Sequence, residues 1–300
     1  MALSSLTKRT FKGEAFAPGH ITGFFEICDE SDNVLKKGSR GAGLCLDKGV
    51  TTKVTLKEAS DDPARKVILN GKSSKAPVTQ KVIDELAPDH DAVVKSTHDF
   101  PIGQGLGMSA AGALSTAIAI ADALGLPREK AVHAAHAADV ISRTGLGDVG
   151  PAAQGGMTIR LRPGIPPFGQ IRSIPIDGDV EILVAMVGPP MSKPRILTDQ
   201  ARRKAINQAG KDCVDKMSRN PTLDNLLSLS RGFAEKCGLM ENDVRTALKA
   251  VDRFGKASMS MIGSSIFAHG DDLGAMTRAL KRFTDEVYVC HVDNRGARIL

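Results

Sequence analysis

The sequence predicts an α+β fold in two halves, residues 1–165 and 166–300. Three observations carry that expectation. Short stretches with strand-like alternation interleave with stretches whose apolar residues keep helical spacing. A break at Pro163–Gly169, with three prolines and two glycines in seven residues, separates the halves. A glycine-rich loop, Pro101–Ala111, joins a predicted strand to a predicted helix.

Along the first half, Glu14–Ala17, Gly23–Cys28, Gly43–Leu46 and Thr51–Leu56 read as four short strands. Glycines 38, 41, 43 and 49 punctuate them, and Val50–Leu56 alternates. Pro77–Leu86 predicts a helix, and Asp91–Thr97 a strand with Ala92, Val93 and Val94 at its centre. From about Ser109 to Leu124, Ala110, Ala111, Leu114, Ile118, Ala121 and Leu124 keep helical spacing, and Gly125 and Pro127 stop the helix. Arg128–Ile141 predicts a further helix, closed by Gly145, and Gly155–Leu161 a strand. The second half predicts strands at Glu181–Val187, Ser258–Ala268 and Glu286–Val292. Its helices are expected at Arg195–Ala209, Pro221–Cys237, Asn242–Arg253 and Asp272–Phe283.

Composition narrows the function classes. An apolar fraction of 42% supplies an ordinary core. The longest apolar run, Ala110–Leu126, is broken by Gly112, Ser115, Thr116 and Asp122, short of the roughly 18 residues a membrane span needs. Met1–Thr10 has no apolar segment after it, so no signal peptide is expected. The five cysteines, Cys28, Cys45, Cys213, Cys237 and Cys290, never form a CxxC pair, which points to free thiols in a reducing cytoplasm. A net charge of +6 suits anionic ligands. With 4% aromatic residues and no tryptophan, stacking platforms for nucleic acid are scarce.

The loop Pro101-Ile102-Gly103-Gln104-Gly105-Leu106-Gly107-Met108-Ser109-Ala110-Ala111 is the central signal. The first turn of a helix presents unpaired N–H groups at its positive end, and glycines let a polyphosphate approach the backbone. The Ser109 hydroxyl has two competing roles there, capping the helix or ligating a phosphate-bound Mg2+. No GK[ST] follows, so the loop is not a Walker loop, and its GxGxG spacing is a poor dinucleotide fingerprint.

Further along, Thr144-Gly145-Leu146-Gly147-Asp148 places a carboxylate in a glycine-flanked turn. Asp148 either takes the proton of a substrate hydroxyl or bonds its own backbone as a turn former. Arg160 offers a fork of donors to a carboxylate or phosphoryl group, or else is a solvated strand-end residue. His133, His136 and Asp139 share a helical face, but no HExxH motif or cysteine ligand supports a transition-metal site.

Pro-x-x-x-Gly-Leu-Gly-x-Ser-Ala-Ala, at residues 101–111, resembles the phosphate-binding motif of the GHMP kinases, the galactokinase, homoserine, mevalonate and phosphomevalonate kinases. Met108 departs from the family, which usually has a serine there. Phe16-Ala17-Pro18-Gly19-His20-Ile21-Thr22-Gly23 resembles the family's first motif, with His20 in place of the common Arg or Lys. Ala257–Ala268 holds the place of the third, glycine-rich motif with one glycine, Gly263; Gly263 and Ser264 either line the nucleotide site or belong to an ordinary bulged strand. His20, Thr22, the run Gly38-Ser39-Arg40-Gly41-Ala42-Gly43 and Thr144–Asp148 look like the archaeal branch that acts on pantoate.

The resemblance implies a GHMP kinase fold. Its N-terminal half is like the second domain of ribosomal protein S5, its C-terminal half is ferredoxin-like, and nucleotide lies in the cleft between. It implies ATP held by Pro101, Gly103, Gly105, Leu106, Gly107, Met108, Ser109, Ala110 and Ala111. It implies Mg2+ on Ser109 and Asp139, the latter in place of a family Glu. Asp148, Ser109 and Arg160 are the expected catalytic residues, and His20, Thr22, Arg40 and Arg160 the expected substrate contacts. The implied reaction phosphorylates the hydroxyl of (R)-pantoate to 4-phosphopantoate, on a route to coenzyme A. Homoserine and mevalonate pair a hydroxyl with a carboxylate in the same way and are the rival acceptors. A nucleic-acid-binding protein and a nucleotide sensor are the rivals from other classes. No nucleic acid or membrane partner is expected; a homodimer is allowed for.

Overall fold

The computed structural model describes residues 8–59, 62–191 and 199–300. It opens with a long antiparallel hairpin, β1 (Thr10–Cys28) and β2 (Gly38–Glu58), paired from Thr10 opposite Lys57 to Cys28 opposite Gly38. The four short strands expected here are therefore two long ones. The glycines act inside the strands by making room: a Cβ on Gly43 would collide with the His20 ring, and one on Gly19 would lie 2.8 Å from the Met108 Cε. The ladder shifts register between Pro18 and Gly19 and again between Thr22 and Phe24. Such bulges re-aim side chains, and here they flank His20 and Thr22.

β3 (Arg65–Leu69), β4 (Lys72–Ser74) and β5 (His90–His98) extend the hairpin in the order β1-β2-β5-β3-β4, β3 and β5 being parallel. β6 (Met157–Arg162) pairs with the other end of β2, Arg160 opposite Gly41, and β7 (Gln170–Ile174) pairs with β6. The Pro163–Gly169 break is thus a connection within this sheet, and the passage to the second sheet comes after Ile174. A short last strand, β12 (Arg298–Ile299), returns to β1.

α2 (Met108–Leu124) packs on this sheet with α1 (Pro77–Leu86) and α4 (Val149–Gln154), and α3 (Arg128–Ile141) packs on those helices. α2 is buried on nearly every side, as its alanine-rich composition allows; a Cβ on Gly13 would collide with the Ala119 carbonyl. The second sheet has the order β11 (Val287–His291), β8 (Glu181–Met186), β10 (Ser265–His269), β9 (Lys256–Met259), all antiparallel.

The predicted strand Ser258–Ala268 is therefore a hairpin, with a turn at 260–264. α5 (Gln200–Arg219) and α6 (Leu223–Lys236) join the halves. Arg203 pairs with Asp29 at 2.6 Å, and Phe25 packs on Phe233 with ring centroids 5.6 Å apart. The expected helix start at 195–198 and the N-terminal residues 1–7 lie outside the described residues. α7 (Asn242–Val251) and α8 (Leu273–Leu280) complete the second half.

All five cysteines are free, four of them buried. Burial pushes the Cys213 and Cys237 thiols up to about 11 and Cys290 to about 12. Among the described residues, no helix is long and apolar enough to cross a membrane.

Candidate active site

The glycine-rich loop is held by its carbonyls. Gly103 O accepts from Met191 N at 3.4 Å, Gln104 O from Ser265 Oγ at 2.6 Å, Gly105 O from Ser260 Oγ at 2.5 Å and Leu106 O from His20 N at 3.1 Å. In a trans peptide the N–H of the next residue points the opposite way. The amides of residues 104–107 are thus turned away from these anchors, and among the described residues they donate no hydrogen bond. Gly103, Gly105 and Gly107 have φ of 93°, 82° and 67°, which a side chain would strain. α2 begins directly after, with Gly107 as N-cap and no side-chain cap bond. The amides of Met108, Ser109 and Ala110 have no intrahelical acceptor. The result is a run of outward N–H groups at a positive helix end, an anion cradle.

Ser109 does not cap the helix, which leaves its hydroxyl to the cavity it lines with Gly107, Arg143 and Thr144. Pro101 is exposed at the loop's entry. Asp139, at the end of α3, is buried and accepts from the Thr144 hydroxyl at 2.6 Å; a Cβ on Gly145 would collide with its carboxylate.

Asp148 is the residue before α4, and its carboxylate makes no cap bond there. Instead, Oδ1 lies 2.9 Å from His20 Nδ1 and accepts from the Thr22 hydroxyl at 3.0 Å. His20 Nε2 lies 3.3 Å from Thr158 Oγ1. Burial holds the imidazole below its usual pKa, and the Arg160 charge acts in the same direction, against Asp148. Arg160 is 3% exposed in the middle of β6, and its Nε and Nη1 are buried without a hydrogen-bond partner. Burial lowers its pKa while Asp148 raises it. Gly147 lets the Asp148 turn lie against Ser39 and Arg160, whose Nε would be 3.0 Å from a Cβ there. Thr22, Ser39, Asp148 and Arg160 line one cavity, walled by Phe25, Leu146, Met261 and Ile262.

Several expectations change. The His20 side chain is fully buried and engaged on both nitrogens, so it is not a surface for substrate. Arg40 is directed elsewhere: it bonds Glu26 at 2.7 Å and the Leu161 carbonyl at 3.0 Å and does not line the cavity. His133 and His136 bond the carbonyls of Pro166 and Lys37, and among the described residues no three His, Cys, Asp or Glu side chains gather to hold a metal ion. The third motif does not merely mimic a strand: Ser260 and Ser265 anchor the loop, Gly263 packs on Gln104, and Ser264 bonds the Pro189 carbonyl at 2.6 Å.

Ser39, Thr158, Ser260 and Ser265 were missed as site residues. Thr158 was reachable, because strand alternation puts it on the face of Arg160.

The family model described as GHMP kinases N terminal domain matches residues 77–156, the span that holds the loop, Asp139 and Asp148. Fold and loop together place the chain among the GHMP kinases. Pantoate kinase of Methanocaldococcus jannaschii is 37% identical over 84% of this chain and 90% of its own length. That of Thermococcus kodakarensis is 34% identical over 85% and 86%. The chain belongs to the same family as these pantoate kinases. A solved phosphotransferase related to the CoA biosynthesis pathway superposes with a TM-score of 0.86 at 30% identity, covering 96% of this chain and 98% of that one. Mevalonate diphosphate decarboxylase from Staphylococcus aureus, 12% identical with a TM-score of 0.71 over 97% and 98% of the chains, shares the fold.

Proposed function

We propose that the chain transfers the γ-phosphoryl group of ATP to the hydroxyl of (R)-pantoate, giving 4-phosphopantoate for coenzyme A synthesis in the cytoplasm. The observation that carries this is the buried Arg160 guanidinium, with unpartnered Nε and Nη1, in a cavity it shares with Asp148. Buried charged donors left without hydrogen-bond acceptors are costly, and an anionic substrate group supplies acceptors. Phe25, Leu146, Met261 and Ile262 give the cavity apolar walls suited to the two methyl groups on the quaternary carbon of pantoate. Homoserine would bring an ammonium group beside Arg160 and be repelled.

The cradle amides of residues 104–110 fit the phosphates of ATP, and the Ser109 hydroxyl and Asp139 carboxylate are the groups that would hold a hard divalent ion there. Mg2+, when bound, neutralises phosphate charge during transfer. Asp148 orients the substrate hydroxyl and takes its proton as the oxygen bonds to phosphorus. Arg160 grips the acceptor's carboxylate or the transferring group. Catalysis is mainly positioning and electrostatics.

The test is ADP release from Mg·ATP with (R)-pantoate, mevalonate and homoserine in parallel. Turnover with pantoate alone is expected; turnover with another acceptor only would discard this substrate. A second expectation concerns the cradle. In Gly105→Ala the new Cβ would lie 2.7 Å from the Ser260 carbonyl, at a φ of 82°. The loop must shift, and KM for ATP should rise about tenfold or more, with the pantoate KM changed far less. An unchanged ATP KM would remove residues 104–107 from nucleotide binding.

A further inference from the structure

We propose that His20 is the positioning residue for the Asp148 carboxylate, acting as a neutral imidazole whose tautomer is set by Thr158. This rests on the phosphotransfer reading above. A carboxylate has no proton to offer, so the 2.9 Å contact makes Nδ1 the protonated nitrogen. In the neutral ring that burial favours, Nε2 carries a lone pair, and the Thr158 hydroxyl 3.3 Å away is placed to donate to it. Every ring nitrogen is accounted for, and the ring is shut from solvent. Its fit is tight: a Cβ on Gly43 would meet both Nε2 and Cε1.

The same residue also reaches the phosphate loop, through its N–H to the Leu106 carbonyl at 3.1 Å. One residue at a strand bulge thus holds both the loop and the carboxylate. The charged groups acting on the ring are Asp148, which favours protonation, and Arg160, which opposes it, and burial favours the neutral form. A neutral donor fixes Oδ1 without placing a second cation beside it. The site's cation is Arg160, on β6, and the two functions are divided between residues. Thr22, two residues further along the same strand, donates its hydroxyl to the same oxygen.

The first measurement is 15N NMR of the protein labelled at its seven histidines. One ring is expected in the Nδ1–H tautomer at pH 7, lost in His20→Asn and shifted in both Asp148→Asn and Thr158→Val. An Nε2–H tautomer or an imidazolium at this position overturns the proposal. This readout needs no turnover, so it stands apart from whether pantoate is the acceptor.

The second is kinetic. The Asn amide nitrogen takes the place of Nδ1, so His20→Asn should keep kcat within about tenfold, while His20→Ala loses about 100-fold or more. KM for ATP and for pantoate should stay within about threefold in both. Thr158→Val should lower kcat about three- to tenfold by freeing the tautomer. Equal losses in the Asn and Ala variants, or a loss confined to the pantoate KM, would return His20 to a packing or substrate-binding role. If the Ala variant does not fold, Thr158→Val and the NMR spectrum decide.

Discussion

Asp148→Asn is expected to lower kcat by about 10³-fold while KM for ATP changes by less than about threefold. The substitution is isosteric and keeps an oxygen where Oδ1 accepts from His20 and Thr22. The fold and the cradle are left intact, since Asp148 contributes no cap bond to α4 and does not line the loop cavity. What is lost is the capacity to take a proton as the substrate oxygen attacks. A loss of 10³ corresponds to about 4 kcal/mol of transition-state stabilisation, a reasonable share for one general base. Steady-state kinetics with pantoate and varied ATP checks it. A variant within about threefold of the parent in kcat would show that the carboxylate only shapes the turn, the alternative its sequence context allows.

That alternative shows where sequence reasoning stops. The loop and α2 were legible because glycines followed by a run of small apolar residues permit little besides a strand–loop–buried-helix unit. Pro77–Leu86 and Arg128–Ile141 were legible to the residue, each bounded by a proline at its start and a change of periodicity at its end. The long hairpin was not, because glycine reads as punctuation in a sequence yet serves in β2 to admit the His20 ring. The partnership of His20 and Asp148 spans 128 positions, and nothing local encodes it. Arg40 was misplaced for a related reason. It is next to Ser39 in sequence, but successive strand side chains face opposite ways. Ser39 therefore lines the cavity while Arg40 turns to Glu26 across the ladder.

Arg160→Met is expected to raise stability and abolish useful activity together. The guanidinium is 3% exposed, and two of its nitrogens lack partners, each a buried donor whose desolvation is uncompensated. Such groups cost about 1–3 kcal/mol apiece, while methionine fills similar volume without that cost. The usual objection is that removing one buried charge strands another. It does not apply here with full force, because Asp148 keeps its bonds to His20 and Thr22. The ligand-free Tm should therefore rise by about 2–5 °C, while kcat/KM for pantoate falls at least about 100-fold. The parent should also gain Tm when saturated with pantoate, and the variant should not, because the substrate's stabilisation of the folded state works through Arg160. Thermal scans with and without pantoate, beside the kinetics, read all three quantities. A lower ligand-free Tm with near-parental kcat/KM would make Arg160 a structural residue. A higher Tm with lost activity would mean that folding stability is sacrificed at this position to keep two guanidinium donors ready for an anionic substrate.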